Sequence, residues 1–270
     1  MLVLSGGGKY LKLLARNVAF TLAEVLITLG IIGIVAALTL PGLLGNYKKQ
    51  MYVSQLKKSV STLEQGFRKA IADDGVDKLE DTQLWNKIDH SIYSDNGPEA
   101  SDEFWSSLKK YFNILSTSPQ EYSTYYLNGD AVDNEEKFND MHNTVQFADG
   151  SCIIQFFLMQ NPSKRGEQDC QMIKEHGGTM CGYHGDMTID VNCRKGPNVY
   201  GRDIFHFILS EEGLLYPFAG KEWALYAYYS KPLDESPSYW RNFSKPCGTN
   251  GSSGTDCSAY LVENGWIMDY

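Results

Sequence analysis

The six cysteines are the side chains with the clearest chemistry in this sequence. They all lie in the second half of the chain, at Cys152, Cys170, Cys181, Cys193, Cys247 and Cys257. An even number confined to one part of a chain is typical of disulfides formed outside the cytoplasm, with reduced thiols as the alternative. Closeness in sequence favours the pairs Cys170–Cys181 and Cys247–Cys257 among the possible pairings, and this leaves Cys152 for Cys193.

Two other kinds of cysteine site are conceivable in the same region. His176, Cys181, His184 and Cys193 have the side-chain types of a zinc site, but only Cys181 and His184 have the close spacing common in zinc fingers. A cysteine-protease site needs a thiolate beside a histidine, and no local motif marks such a pair. We therefore expect that the chain is not an enzyme and has no catalytic cofactor.

Oxygen-bearing side chains gather between positions 190 and 203. Asp190, Asn192 and Asp203 carry the ligand types of a hard cation such as Ca²⁺. Their spacing does not match an EF-hand, and Asp, Asn and Gly are also the commonest turn formers. Turn formation is our main interpretation of this segment, and a structural Ca²⁺ is the alternative.

A single carboxylate, Glu24, lies inside the most apolar part of the chain. It is the one formal charge in residues 20–44, and about 20 apolar residues suffice for a helix to cross the hydrocarbon layer. An ionisable group inside a span costs about 2.5–3.5 kcal/mol and therefore indicates a function or a partner. We expect this carboxylate to pair with the free amine of a neighbouring chain; a position at the lipid headgroups is the alternative.

A short basic leader precedes the apolar run. Residues 1–19 contain Lys9, Lys12 and Arg16 and no acidic residue. A removed signal peptide has a similar leader, but here the run continues into Pro41 and a second helical pattern, so we expect it to be retained. Lysines on both sides leave the orientation open, and the cysteines favour a head outside the cytoplasm.

The stretch Ala19-Phe20-Thr21-Leu22-Ala23-Glu24, followed by the apolar run with Pro41, resembles the N-terminus of type IV prepilins and type II secretion pseudopilins. In that family a membrane peptidase cleaves before the Phe on the cytoplasmic side and methylates the new N-terminus. The resemblance implies processing between Ala19 and Phe20, with Glu24 fifth and Pro41 twenty-second in the mature chain, where the family favours them. Ala19 is a departure, because the family usually has Gly before the cut.

The resemblance covers about the first fifth of the chain and implies a structural role. The chain would be a pilin-like subunit of a type IV pilus or a type II secretion pseudopilus, single-pass in the bacterial cytoplasmic membrane before it enters a filament. The prepilin peptidase, the membrane and other pilin or pseudopilin subunits would be its partners. The net charge of −9 disfavours nucleic acid. The alternative is a membrane-tethered module that never polymerises and binds a sugar or a protein.

We predict an α+β fold in which a long helix packs against a sheet and positions the residues described above. Hydrophobic residues make up 43% of the chain, enough for a packed core, and the mean hydropathy of −0.32 excludes many spans. We predict one helix over 20–72, with a transmembrane half (20–44) and an amphipathic half, and expect Pro41 to kink or locally melt it. The head, 73–270, should carry an antiparallel sheet of about four or five strands packed on the amphipathic half, as in pilin-like heads.

The predicted strands and short helices of the head follow from alternation and turn residues. Asp149-Gly150 predicts a two-residue hairpin turn between strands at 144–148 and 151–158. The segment 190–203 resembles a strand–loop–strand segment of some pseudopilin-like heads that usually has Gly where Cys193 stands, which fits a Cys152–Cys193 pair. Further strands are predicted at 187–191, 204–209 and 214–216, a loop at 122–140, and short helices at 81–88, from 102 onward and at 259–263.

Overall fold

The computed structural model describes residues 21–87, 102–117, 123–132, 144–227, 247 and 252–270. The leader and the predicted processing site, Ala19 and Phe20, lie outside the described residues, as does most of the second half of the predicted loop at 122–140. The chain divides into two compact units, 1–47 and 48–270. The fold is α+β and pilin-like, with a long N-terminal helix and an antiparallel sheet, as predicted.

Helix α1 runs from Leu22 to Asp74, two residues later at each end than predicted. It continues through Pro41, so the local melting that we expected there is absent. Pro41 lacks an N–H and removes one backbone bond, but the bonds on either side hold the helix. The helix ends where Gly75 adopts a φ of +66°, a conformation open to glycine.

One six-stranded sheet forms the centre of unit 48–270. Every strand pairs antiparallel with its neighbour in sequence, in the order β1-β2-β3-β4-β5-β6. The strands are β1 Ile114–Ser116, β2 Val145–Phe147, β3 Cys152–Lys164, β4 Gly182–Asp190, β5 Ile204–Ser210 and β6 Leu215–Pro217. The predicted hairpin is confirmed, but its connection has three residues, 148–150, and not the predicted two, because the Phe147 N–H still donates to the Ser151 carbonyl. Asp149 Oδ1 closes the turn by accepting hydrogen bonds from the Ser151 N–H (3.0 Å) and hydroxyl (2.6 Å).

The described residues of unit 48–270 also contain four short helices. They are α2 Asp102–Tyr111, α3 Glu167–Glu175, α4 Lys221–Ala227 and α5 Cys257–Glu263. The predicted helices near 102 and 259 are confirmed. The helix expected at 81–88 is wrong: two 3₁₀ turns, Leu79–Asp81 and Trp85–Lys87, occupy this region. The first strand, α3 and α4 were not predicted.

The core lies between the inner face of the sheet and the 52–70 part of α1. Phe67 is almost completely buried and meets the Phe112 ring edge-on at 5.1 Å. Gly66 sits beneath the same ring: a Cβ there would lie 2.0 Å from Phe112 Cε1. The predicted amphipathic half of α1 is thus the half that packs on the sheet.

All six cysteines form disulfides, in the pairs that the sequence favoured. Cys170 bonds to Cys181, Cys247 to Cys257, and Cys152 to Cys193. Cys193 has a φ of +55°, in the left-handed region that favours glycine. This backbone conformation explains why a Gly is expected at its position in the resembling segment.

Candidate functional site: the apolar helix and its acidic N-terminus

The first half of α1 exposes an unusually apolar surface. Its most apolar 18-residue window has a mean hydropathy of 2.3 and no buried residue. Leu22, Ile34 and Leu38 are 79%, 65% and 78% exposed. In the described part of the chain, α1 is the one helix long and apolar enough to cross a membrane. A contiguous surface of this kind requires lipid or other protein to cover it.

The polar side chains within this surface satisfy their own hydrogen bonds. The Thr28 hydroxyl donates to the backbone carbonyl of Glu24 (2.9 Å), and the Thr39 hydroxyl donates to that of Val35 (2.9 Å). Bonds of this type satisfy the hydroxyl donors within the helix, so that the hydroxyl groups can lie in an apolar environment. Within residues 22–44, Glu24 is therefore the side chain that presents a charge to the lipid or protein that covers the helix.

Glu24 forms a capping box with Thr21 at the start of α1. Glu24 Oε2 accepts hydrogen bonds from the Thr21 N–H and from its hydroxyl, both at 2.8 Å. The Glu24 N–H donates in return to Thr21 Oγ1 at 3.2 Å. The reciprocal bonds satisfy donors that every helix N-terminus leaves open and fix the carboxylate in the first turn. Thr21 was missed in the sequence, although Thr-x-x-Glu is the pattern of such a box.

The structure does not bring the predicted assembly residues together into one cluster. Glu24 lies in the first turn of α1 and Pro41 lies 17 residues further along it, about 25 Å at 1.5 Å per residue. Ala19 and Phe20, where processing is predicted, are not described. The candidate site is accordingly an extended helix surface with a carboxylate at one end.

The acidic segment between β4 and β5 is organised around Asp203. This fully buried carboxylate accepts hydrogen bonds from the N–H groups of Val199 (2.7 Å) and Asn198 (2.9 Å) and from the amide of Asn192 (3.3 Å). Burial raises the pKa of Asp203, and these bonds oppose that rise. The hydrogen bonds are those of a closed turn, our main interpretation of the segment.

The rest of the predicted calcium set lies close by. Asp190 is also fully buried and accepts a hydrogen bond from the Asn192 N–H at 2.9 Å. Among the described residues, no group of three or more His, Cys, Asp and Glu side chains is placed to hold a metal. Asp190, Asn192 and Asp203 contain only two carboxylates, and calcium binding there stays a prediction.

The zinc interpretation of the histidines and cysteines is wrong. Cys181 and Cys193 belong to two different disulfides, so neither sulfur is available as a thiolate. His176 is exposed and its Nδ1 lies 2.7 Å from the carbonyl of Met172, whereas His184 is fully buried beside Trp85. Sequence spacing cannot show that these side chains point to different places.

Comparisons with known protein families, with characterised proteins and with solved structures found no match to this chain.

Proposed function

We propose that this protein is a pilin-like structural subunit that assembles into a filament through the first half of α1. The observation that supports the proposal most is an apolar helix surface of membrane-spanning length that carries one carboxylate in its first turn. The pilin-like fold and the three disulfides are consistent with a head outside the cytoplasm. The proposal covers both a subunit of a type IV pilus and a subunit of a type II secretion pseudopilus.

The apolar surface drives insertion into the membrane and remains covered in the assembled state. Burying one Leu or Ile side chain contributes about 1.5–3 kcal/mol, and α1 exposes many such side chains between Leu22 and Leu44. Lipid covers them before assembly. Neighbouring α1 helices cover them in the filament, so transfer from the membrane exchanges one apolar environment for another.

Glu24 supplies the specificity that apolar contacts lack. Apolar helices in lipid gain little from associating, because lipid tails are as apolar as the side chains. A carboxylate moved into a filament core requires a compensating cation. After cleavage at Ala19–Phe20, the Phe20 amine of an adjacent subunit is that cation, and the pair sets the axial register between subunits. Prepilin peptidase is the enzyme in this scheme, and the chain is its substrate.

The first experiment separates the charge of Glu24 from its role in capping. Glu24→Gln keeps an oxygen that accepts the Thr21 N–H but removes the charge, and Thr28→Val is a matched control in the same segment. Membrane insertion is measured by resistance to alkaline extraction, and assembly by sedimentation of sheared filaments and by electron microscopy. We expect Glu24→Gln to insert normally and to assemble at least about tenfold less, equivalent to about 1.4 kcal/mol.

Unchanged assembly of Glu24→Gln would contradict the role proposed for the Glu24 charge. A wild-type chain that inserts into the membrane but forms no filaments would favour a tethered binding module that does not polymerise. The second experiment is mass analysis of the mature N-terminus. A methylated Phe20 start is expected; an intact Met1 start, or a soluble exported form cleaved after the apolar run, would exclude processing by a prepilin peptidase.

A further inference from the structure

An irregularity in β4 places two polar side chains on the same face of the sheet. Tyr183 and Asp186 are three residues apart and would lie on opposite faces of a regular strand. The pairing of β4 with β5 shifts by one residue between Tyr183 and Gly185, which is a β-bulge. Because the bulge inserts an extra residue, both side chains reach the outer face, away from α1, where the Tyr183 hydroxyl donates a hydrogen bond to Asp186 Oδ2.

Five side chains of the outer face form a closed circuit, which we call the aromatic circuit: Tyr183, Asp186, His206, Phe218 and Trp223. Asp186 Oδ1 lies 3.1 Å from His206 Nε2. The His206 ring stacks on Phe218 with centroids 4.4 Å apart, and Phe218 lies 5.9 Å from Trp223. The Trp223 ring meets Tyr183 edge-on at 5.5 Å, which closes the circuit.

The aromatic circuit is partly exposed and rests on a firm base. The Asp186 and His206 side chains retain 17% and 14% of their exposure. Ile208 and Met180, which belong to the same apolar cluster, are completely or almost completely buried beneath it. Residues from β4, β5 and α4 and the residue that follows β6 thus converge on one patch. Few convergent polar groups among aromatic rings are the usual composition of a small-ligand site.

We propose that the aromatic circuit binds a neutral carbohydrate. Sugar rings combine an apolar C–H face, which packs on aromatic rings, with hydroxyl groups that donate hydrogen bonds. Trp223 and Phe218 are both partly exposed and provide aromatic surface on one side of the circuit, although one face of each ring is covered, by Tyr226 and by His206 respectively. Asp186 provides a carboxylate on the other side, whose two oxygens offer about four acceptor positions; the Tyr183 hydroxyl uses one and the His206 Nε2 faces another.

The environment of Asp186 favours a neutral ligand over a cation. Its carboxylate already receives the Tyr183 hydroxyl and lies against the His206 imidazole, so part of its negative field is compensated within the circuit. The Asp186 carboxylate therefore keeps directional acceptor positions while its charge is partly compensated. Such positions suit the hydroxyl donors of a neutral sugar. This inference does not depend on the proposed assembly function, because it concerns only the outer face of the sheet.

The test uses the full chain in lipid nanodiscs, since sugar-based detergents would compete. The probes are tetrasaccharides of β-1,4-linked N-acetylglucosamine, α-1,4-linked glucose and α-1,6-linked mannose, with tetramethylammonium as the cationic probe. Binding is measured by calorimetry and by saturation-transfer NMR. We expect at least one sugar to bind with a Kd of about 1 mM or tighter.

Substitutions assign that binding to the circuit. Asp186→Asn and Trp223→Leu should weaken it at least about tenfold, whereas Trp266→Leu, a partly exposed tryptophan next to α5, should leave it unchanged. Tyr183→Phe, which removes only the hydroxyl, replaces Asp186→Asn in the test if that variant does not fold, and it should weaken sugar binding in the same way. The proposal is overturned if no tetrasaccharide binds at about 10 mM, if binding survives both Asp186→Asn and Trp223→Leu, or if tetramethylammonium binds in place of the sugars.

Discussion

The Cys152–Cys193 disulfide permits a prediction in which two effects on stability are separated. Cys152 opens β3 directly opposite Asp190, and Cys193 follows the end of β4 with a φ of +55°. In the double variant Cys152→Ala/Cys193→Ala the cross-link is lost but a side chain remains in the left-handed conformation. In Cys152→Ala/Cys193→Gly the cross-link is lost and the conformational strain is relieved as well.

The expected magnitudes follow from the loop length and from backbone sterics. The cross-link closes a loop with a sequence separation of 41, and chain entropy for such a loop gives about 4 kcal/mol at 25 °C. The alanine double variant should therefore lose about 4 kcal/mol in the free energy of unfolding. A non-glycine residue in the left-handed region costs about 1–2 kcal/mol, part of which the greater freedom of glycine in the unfolded chain offsets, so the glycine double variant should recover about 1 kcal/mol.

The assay is urea unfolding of the oxidised full chain in nanodiscs, followed by tryptophan fluorescence. With equal slopes, the two midpoints give the difference directly. A glycine variant no more stable than the alanine variant would show that the positive φ at Cys193 carries no cost. A wild-type midpoint in both variants would show that the cross-link does not constrain the unfolded chain.

Three further measurements test other parts of the structure. Gly66→Ala should destabilise the head by about 1–2 kcal/mol, because its Cβ would overlap the Phe112 ring by more than helix propensity returns, and adding Phe112→Leu should restore part of the loss. Burial lowers the pKa of His184 from 6.5 to about 4, so the folded state disfavours its protonation and stability should fall by about 3 kcal/mol as the pH drops from 6.5 to 4; a His184→Gln variant, compared by thermal unfolding, should lack this slope. Because backbone N–H groups already occupy the Asp203 carboxylate, the unfolding temperature should be the same in EDTA and in excess Ca²⁺, and a rise of several degrees with Ca²⁺ would instead support the calcium site.

The elements with strong local signals were predictable from the sequence. Asp149-Gly150 predicts the hairpin because Gly150 has a φ of +92°, which few other residues accept. The spacing of apolar residues along α1 predicts the face that packs on the sheet. The three disulfides followed because two pairs are close in sequence and the third joins neighbouring strands.

The missed elements lack such signals. The first strand has only three residues, too few to show alternation, and α3 is rich in polar residues with a single buried side chain, Ile173. The aromatic side chains of α4 give no helical signal because rings favour strands, and their contacts with Phe218 and Tyr183 are tertiary. Glu24 was identified from its charge and its place in the N-terminal motif, but its bonds to Thr21 depend on where the helix begins.

Gly185 controls the in–out alternation of β4. A Cβ at this position would lie 2.0 Å from the carbonyl oxygen of Phe157 on the neighbouring strand, so a larger residue requires the backbone of β3 or β4 to move. Restoring regular alternation upstream would rotate Tyr183 into the core and His184 out to solvent. Gly185 thus permits the local backbone that keeps the His184 ring in the interior and the Tyr183 ring on the outer face of the sheet.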